Sequence, residues 1–305
     1  MYDLIIIGSG PAGLSAAVYG KRAGFKTLVL EKNPMSGGQV LNTYEVDNYL
    51  GLPGINGFDM GMQFREHADK LGAEFVEADV TELISEEERK VVKTSEGDFE
   101  GRAVIIATGA NHRHLGAPGE EAFSGAGVSY CATCDGAFFK GKTTAVIGGG
   151  DVAVEDAIFL ARGCKKVYLV HRRDELRAAK SLQDQLFALP NVEVIWNSTV
   201  NEIQGDEVVK GISLHNKVNG SDQGIPVDGV FVAVGIRPES ELFTGLVEAD
   251  QNGYLKAGED CVTSVPGIFA AGDVRTKKLR QIVTAVADGA NAVTSVQEYF
   301  LSAKR

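Results

Sequence analysis

Two stretches of the chain place the same glycine pattern directly after a short apolar run. The first is YDLIIIGSGPAGLSAAVYG, starting at Tyr2, and the second is TTAVIGGGDVAVEDAIFLA, starting at Thr143. In each stretch the apolar run predicts a buried strand, the glycines a tight turn, and the small residues that follow a helix. Such a turn lets a pyrophosphate approach the backbone at the N-terminus of a helix. The sequence therefore predicts two dinucleotide-binding βαβ units.

The first unit continues to an acidic residue where a ribose is usually bound. Asp3–Ile7 predicts the first strand, Leu14–Ala23 the helix and Lys26–Leu30 the second strand. Glu31 closes that strand, 23 residues after Gly8. A carboxylate at this point accepts hydrogen bonds from ribose hydroxyls, so the unit is suited to a nucleotide whose hydroxyls are free.

The second unit differs at the corresponding position. The same offset of 23 residues, counted from Gly148, leads into the segment HRRDELR. Its basic side chains are those of His171, Arg172, Arg173 and Arg177. A carboxylate would repel a 2′-phosphate there, whereas a basic cluster attracts one and pairs with it in a bidentate manner. The second unit is therefore expected to bind NADP(H).

Further apolar runs that end in glycine complete the pattern. Ala103–Ala107 predicts a strand that ends at Thr108-Gly109, and Val230–Val234 predicts one that ends at Gly235. Near the C-terminus, the run GIFAAGD ends at Asp273 before a long amphipathic helix. A carboxylate at such a strand end suits a hydroxyl-rich ligand, although Asp273 as a simple helix N-cap remains open.

These blocks predict an α/β fold with two Rossmann-like dinucleotide-binding domains. Each domain is expected to have three layers, in the order β, β, α. The order of the blocks indicates that one domain is inserted into the other. Residues 1–113 and 245–305 are expected to form a discontinuous FAD-binding domain, and residues 116–242 an NADPH-binding domain that carries two cysteines. Linkers are expected near residues 111–118 and 240–247, where polar residues, Gly and Pro gather.

Composition narrows the class of protein. The chain has 305 residues, 44% of them hydrophobic, and a formal net charge of −11, which argues against a general nucleic-acid binder. No apolar run approaches the roughly 20 residues that span a bilayer, and no signal peptide is visible. The 4 cysteines are too few for a secreted disulfide scaffold. We therefore expect a cytoplasmic protein that binds neither membrane nor nucleic acid.

The stretch VSYCATCDGAFFK contains a Cys-x-x-Cys pair, Cys131 and Cys134. Such a pair binds a metal, forms a structural disulfide or exchanges electrons by cycling between dithiol and disulfide. A zinc site needs about four ligands. Only His112 and His114 would complete one, because the other cysteines are isolated. Asp135 follows the pair and is either a general acid/base for a thiolate or a turn residue. The nucleotide motifs favour the redox interpretation, and no metal site is expected.

Taken together, the motifs GSGPAG, GGQ, CATCDG, GGGDVAVE, HRRDELR and AAGDVRTKKLRQ resemble those of the low-molecular-weight, bacterial-type thioredoxin reductases. The resemblance covers essentially the whole chain. It implies a flavoprotein that holds FAD, takes electrons from NADPH, reduces thioredoxin and forms a cytoplasmic homodimer. It also implies that Cys134 faces the flavin and that Cys131 attacks the substrate disulfide. The position of Asp135 directly after Cys134 makes it the expected general acid/base of the site.

The resemblance assigns residues to the two cofactors. FAD would contact Gly8, Ser9, Gly10, Pro11, Ala12, Gly13, Glu31, Lys32, Gly38, Gln39, Asn48, Thr108, Gly109, Gly272, Asp273, Arg280, Gln281 and Ile282. NADPH would contact Gly150, Asp151, Val152, Ala153, His171, Arg172, Arg173, Arg177, Gly235 and Ile236.

The expected reaction passes hydride from NADPH to FAD, then electrons to the Cys131–Cys134 disulfide and on to oxidised thioredoxin. The inserted domain would rotate between the two half-reactions, because NADPH and the dithiol need the same flavin. Two alternatives share the fold and the cysteine pair. One is a dithiol oxidase that uses oxygen, and the other is a reductase supplied by ferredoxin or reduced flavin. Neither needs a 2′-phosphate site, so the basic segment weighs against both.

Overall fold

The computed structural model describes residues 1–43, 46, 48–87 and 89–302. The chain divides into two compact units. The first combines Met1–Asn111 with the C-terminal part from Arg237 onward, and the second is the continuous segment His112–Ile236. Among the described residues, no helix has the length and apolarity that crossing a bilayer requires.

The helices are α1 (Pro11–Arg22), α2 (Gly57–Lys70), α3 (Ala132–Asp135), α4 (Asp151–Ala161), α5 (Lys180–Phe187) and α6 (Ile282–Ser302), with 3₁₀ turns at Gly38–Asn42, Gly136–Phe139 and Gly272–Val274. The strands are β1 (Tyr2–Ile7), β2 (Thr27–Glu31), β3 (Glu74–Glu77), β4 (Val80–Ser85), β5 (Lys90–Thr94), β6 (Gly97–Ile106), β7 (Ala110–His112), β8 (Val128–Ser129), β9 (Thr143–Gly148), β10 (Lys166–Val170), β11 (Val192–Ile195), β12 (Ser198–Gly205), β13 (Val209–Asn216), β14 (Asp222–Pro226), β15 (Gly229–Ala233), β16 (Ile236–Pro238) and β17 (Ile268–Ala270).

The first unit is built on a sheet in the order β3-β2-β1-β6-β5-β4, and β17 also pairs with β6. Strands β3, β2, β1, β6 and β17 run parallel, whereas β4, β5 and β6 form an antiparallel meander. Alternate residues of β1 face opposite layers. Leu4 and Ile6 pack with α1 and α6, while Ile5 and Ile7 pack with β4 and β5. Successive side chains of a strand point to opposite faces of the sheet. Because those of β1 are apolar on both faces, both faces are buried.

The second unit repeats the plan. Its parallel sheet has the order β11-β10-β9-β15-β8. Val146 of β9 packs with α4 on one face, whereas Ala145 and Ile147 pack on the other face with the antiparallel sheet β12-β13-β14. Both units therefore have a helical layer, a central sheet and a β layer. The predicted α/β fold with two Rossmann-like domains is confirmed, and the cofactor that each domain binds stays a prediction.

The chain crosses between the units from Asn111 to His112 and from Ile236 to Arg237, and β7 and β16 at these crossings pair with each other. The first crossing falls in the segment where a linker is expected. The second comes before residues 240–247, the other expected linker. Phe243 and Val247 of that segment are buried in the core of the first unit, and their apolar side chains explain the difference.

Candidate functional site

The two cysteines of the CATC motif form a disulfide in the second unit, with a Cα–Cα distance of 5.3 Å. Cys131 is the N-cap of α3, and the Cys134 N–H donates to the Cys131 carbonyl, so one helical turn brings the sulfurs together. Both residues are half-buried. The Sγ of Cys131 also lies 3.4 Å from the hydroxyl of the exposed Thr133.

Asp135 closes the same short helix and is held by Ser129. The Ser129 hydroxyl donates to Asp135 Oδ2 at 2.6 Å, and it also accepts the Cys131 N–H at 3.1 Å. The other carboxylate oxygen, Oδ1, is buried without a hydrogen-bond partner among the described residues. Burial raises the pKa of Asp135 above its ordinary value, although the bond from Ser129 opposes the rise. A half-satisfied carboxyl beside the dithiol keeps a proton to higher pH than an ordinary carboxyl does.

Tyr130, which precedes the dithiol, ties this loop to the start of the second unit. Its hydroxyl donates to the buried Glu120 at 2.9 Å and lies 2.9 Å from His114 Nδ1. His112 stacks on the Tyr130 ring with centroids 5.4 Å apart. Burial, together with the bond to Glu120, raises the pKa of Tyr130. The two histidines that entered the zinc alternative thus pack against Tyr130, and the two cysteine sulfurs are bonded to each other.

The glycine turn of the first unit is held by close backbone contacts. A Cβ added at Gly8 would lie 2.5 Å from the Ala107 carbonyl oxygen, and one added at Gly13 would lie 1.9 Å from the Gly8 carbonyl oxygen. Gly8 also has a φ of +99°. Gly10 differs, because a Cβ there would meet nothing within 4 Å. The turn therefore leaves open space at its middle glycine, and the 3₁₀ turn at Gly38 approaches that glycine from the other side.

Glu31 lies beside this turn, as the spacing predicts. Its Oε2 accepts the Ser9 N–H at 2.8 Å and the Ser9 hydroxyl at 2.7 Å. Its Oε1 accepts two bonds from Asn33, both at 3.0 Å. A carboxylate has about four lone-pair sites, so protein donors occupy them all. Asn33, which donates two of these four bonds, is exposed.

Residues from the C-terminal part join the same unit. Asn48 Nδ2 donates to Gln281 Oε1 at 2.9 Å, although 233 positions separate the two residues. Asp273 Oδ1 and Arg280 Nε are buried without hydrogen-bond partners among the described residues. Burial raises the pKa of Asp273, and Lys277 and Arg280 oppose the rise. Four of the residues expected at FAD are thus involved: Asp273 and Arg280 each keep a buried polar atom without a partner among the described residues, and Asn48 and Gln281 meet across the chain.

The other predicted contacts of the first unit are less enclosed. Thr108 donates its hydroxyl to the Glu239 carbonyl at 2.6 Å, and the exposed Lys32 lies 3.9 Å from the Glu239 carboxylate. Gln39 is exposed, whereas Ile282 packs on the small cluster of Val40, Val46 and Met60.

A buried charge cluster holds the Gly272-Asp273 turn, and the sequence did not single it out. Asp288 of α6 accepts hydrogen bonds from the Gly272 N–H, from two nitrogens of Arg275 and from Lys277. All three side chains are almost fully buried. Burial alone would raise the pKa of Asp288, but the bonds from Arg275 and Lys277 outweigh it and lower the pKa. One sequence signal was available, namely an acidic residue on the otherwise buried face of α6.

The second glycine turn has the same construction. A Cβ added at Gly148 would lie 2.4 Å from the Ala233 carbonyl oxygen and 2.6 Å from the Ala153 Cβ, whereas one added at Gly150 would meet nothing within 4 Å. Ala153 is buried, and Asp151 and Val152 are exposed at the start of α4. Gly235 has a φ of +123°, and its carbonyl accepts the Arg113 N–H.

The basic side chains of the segment that follows β10 differ in their exposure to solvent. Arg172, Arg173 and Arg177 are exposed, as a phosphate site requires. His171 is only 4% exposed and lies under the glycine turn, where its ring occupies the space of a Gly149 side chain. The offset from Gly148 located the segment, but it did not distinguish the buried member from the exposed ones.

Residues 2–289 match the family described as pyridine nucleotide-disulphide oxidoreductase. The chain belongs to the pyridine nucleotide-disulphide oxidoreductase family. Among curated members, a thioredoxin reductase of Listeria monocytogenes is 50% identical over 300 residues, which is 98% of this chain and 94% of the relative. A thioredoxin reductase of Bacillus subtilis is 48% identical over 300 residues, with 98% and 95% covered.

Solved structures of this family agree. A Streptococcus pyogenes thioredoxin reductase has a TM-score of 0.94 at 45% identity, and 99% of both chains is covered. A Lactococcus lactis thioredoxin reductase in the FR conformation has a TM-score of 0.69 at 42% identity, with 99% of this chain and 100% of that chain covered. The resemblance to thioredoxin reductases that the motifs suggest is thereby confirmed.

Asp135→Asn should change how stability depends on pH. Because the folded state raises the pKa of Asp135, its contribution to stability is present below the unfolded value and is lost as pH rises through the folded value. Wild type should therefore lose thermal stability relative to the variant as the pH rises from about 4, the unfolded value. Thermal unfolding of both proteins at a series of pH values is the measurement.

The control for the Asp135 experiment is Asp184→Asn, which removes an exposed carboxylate paired with Lys180. Its unfolding temperature should follow that of wild type at every pH. Parallel pH profiles for wild type and Asp135→Asn would contradict the role of burial.

Asp288→Asn should destabilise the first unit by about 3–5 kcal/mol, because it leaves two buried cations without a counter-charge. The exposed pair Arg65–Asp69 provides the matched control, and Asp69→Asn should cost about 1 kcal/mol or less. Thermal unfolding of both variants decides the point. Equal effects of the two substitutions would show that the buried cluster has no special weight.

Proposed function

We propose that the chain is an NADPH-dependent, FAD-containing thioredoxin-disulfide reductase. The observation that carries the proposal is the Cys131–Cys134 disulfide, half-buried beside Asp135, in a chain with two dinucleotide-type glycine turns. The thioredoxin reductases described above support thioredoxin as the substrate. From the same resemblance we propose a cytoplasmic homodimer.

The residues of the first unit fit FAD. The open space at Gly10 admits a pyrophosphate at the N-terminus of α1, and Glu31 lies where the adenosine ribose would bind. Among the described residues, Asp273 Oδ1 and Arg280 Nε have no hydrogen-bond partner, and a ribityl chain and a phosphate would satisfy these polar atoms. When bound, FAD supplies the chemistry that accepts a hydride and passes an electron pair to a disulfide.

The residues of the second unit fit a nicotinamide dinucleotide with a 2′-phosphate. Gly150 leaves space for a pyrophosphate at the start of α4, as Gly10 does at α1. The exposed guanidinium groups of Arg172, Arg173 and Arg177 follow β10, the strand next to β9. Arginine pairs with phosphate through two parallel hydrogen bonds, which supports NADPH over NADH as the donor.

The dithiol completes the reaction by thiol–disulfide exchange. The reduced pair presents the Cys131 thiolate, which attacks one sulfur of the thioredoxin disulfide and releases the other as a thiolate that takes up a proton. Cys134 then attacks Cys131 Sγ, re-forms the disulfide and releases reduced thioredoxin. Asp135, whose pKa is raised by burial, is placed to give and accept the protons of these steps.

The proposed FAD contacts lie in one unit, whereas the dithiol and the proposed NADPH contacts lie in the other. Both must reach one flavin in turn, so we propose a rotation of the second unit about its two crossing segments. The solved thioredoxin reductase of Lactococcus lactis is described as being in the FR conformation, a description that supports a conformational change in such enzymes.

Anaerobic titration with NADPH tests the donor. We expect about one equivalent of NADPH per reducible centre to bleach the flavin absorbance, and NADH to do so only at far higher concentration, because it lacks the 2′-phosphate. Subsequent addition of oxidised thioredoxin should restore the absorbance. A flavin that stays oxidised with NADPH would contradict the donor assignment.

The control for this titration is the paired substitution of Arg172 and Arg173 by Ala. It should raise the KM for NADPH by about tenfold to a hundredfold, since the two solvent-exposed phosphate pairs together contribute on the order of 1.5–3 kcal/mol. The KM for NADH should hardly change. An equal rise for both nucleotides would remove the argument from the 2′-phosphate.

Cys134→Ser should still be bleached by NADPH but lose thioredoxin reduction by several orders of magnitude, because no disulfide can form at Cys131. Cys164→Ser is the matched control in the same unit. Cys164 is buried, and its Sγ donates to the Phe139 carbonyl, a bond that a serine hydroxyl can replace. The control should keep its turnover, and full turnover in Cys134→Ser would exclude the dithiol role.

A further inference from the structure

His171 differs from the arginines that follow it. Its backbone is fixed at the end of β10, where its N–H donates to the Ile195 carbonyl and its carbonyl accepts the Ser198 N–H. The side chain turns inward and is almost completely buried, while Arg172 and Arg173 are exposed. The sequence HRR therefore contains one interior residue and two surface residues.

The imidazole ring lies directly beneath the second glycine turn. A Cβ added at Gly149 would lie 2.2 Å from both Cε1 and Nδ1 of His171. The ring of Trp196 packs edge-on against the imidazole, with centroids 6.5 Å apart. His171 Nε2 is buried, and among the described residues it has no hydrogen-bond partner. Gly149 and His171 therefore share one space, and only a glycine leaves room for the ring.

The surroundings of the ring also disfavour its charged form. Burial lowers the pKa of His171; backbone groups of Gly148 and Glu175 oppose the shift, and the charges of Arg177 and Arg172 reinforce it. A buried imidazole whose charged form is disfavoured is poorly suited to pair with a phosphate. The charge for such a site comes from the exposed arginines.

Two hydrogen bonds connect the same pieces of chain. The Arg177 N–H donates to the Gly149 carbonyl at 2.7 Å. The Ala179 N–H donates to Asp151 Oδ1, also at 2.7 Å. Together with the ring contact, they join residues 171–179 to the glycine turn at three points. We call this set of contacts, made by Gly149, Asp151, His171, Arg177 and Ala179, the turn clamp.

We propose that His171 is a positioning residue that does not recognise the 2′-phosphate, and that the turn clamp fixes the distance between the pyrophosphate turn and the arginines. This inference rests on the proposed function. It separates two roles within the basic segment. Arg172 and Arg173 distinguish NADP⁺ from NAD⁺, whereas His171 and Gly149 shape the turn that both nucleotides use.

The test compares four proteins: wild type, Gly149→Ala, His171→Ala and the double variant. Dissociation constants of NADP⁺ and NAD⁺ are measured by calorimetry on the oxidised holoenzyme. Trp196, the single tryptophan of the chain, provides a fluorescence signal beside the ring. Each single variant should weaken both nucleotides by a similar factor, about tenfold, which is roughly 1.4 kcal/mol.

The double variant should bind better than the product of the single effects predicts, because the added methyl group occupies space that the imidazole has left. Arg172→Ala is the control and should weaken NADP⁺ alone. His171→Gln keeps a neutral polar side chain, and it should preserve the ratio of the NAD⁺ and NADP⁺ constants even if His171→Ala folds poorly.

Two outcomes would overturn the inference. One is a selective loss of NADP⁺ binding in His171→Gln, which would make His171 a phosphate ligand. The other is strict additivity in the double variant. A wild type that binds neither nucleotide would contradict the proposed donor instead. The contact between Gly149 and His171 would then still be tested by thermal unfolding of the same four proteins, where additivity again counts against it.

Discussion

The close packing of a strand end against the helix that follows it is the constraint on which both units depend. At Gly13 and at Gly148 an added Cβ would lie within 2.6 Å of another atom, so these two positions have no room for a side chain. The middle glycines, Gly10 and Gly150, have open space instead. The same turn thus brings the helix N-terminus close to the sheet and keeps it accessible to an anion.

Asp288 differs from two other carboxylates of the described residues, Asp135 and Asp273. Asp288 has hydrogen bonds from Gly272, Arg275 and Lys277, and its role is to hold a turn. Asp135 and Asp273 each keep one buried oxygen without a partner among the described residues. An unsatisfied buried oxygen costs free energy in the isolated protein, so these two carboxylates do not stabilise the fold as Asp288 does.

Local patterns predicted much of this structure. The apolar runs and glycines located the strands and helices of both βαβ units, because period and turn chemistry are short-range properties. The Asp288 cluster was not predicted from the sequence, because its members meet only when α6 packs against the turn at Gly272. The inward direction of the His171 side chain was not predicted either, because residue spacing gives a position along a strand and not the face on which a side chain lies. Likewise, Phe243 and Val247 looked like part of a linker until the core around them was known.

The division of the first unit also constrains the order in which the two units fold during synthesis. Strand β17 pairs with β6 at Ile268 and Val104, and α6 packs on α1, so the first unit needs the last part of the chain before its sheet and helical layer are complete. The second unit is one uninterrupted segment and is released from the ribosome earlier. During synthesis the inserted unit can therefore fold while the N-terminal strands still expose the apolar face that α6 will cover. Chaperone binding to this exposed apolar face is most favourable during that interval.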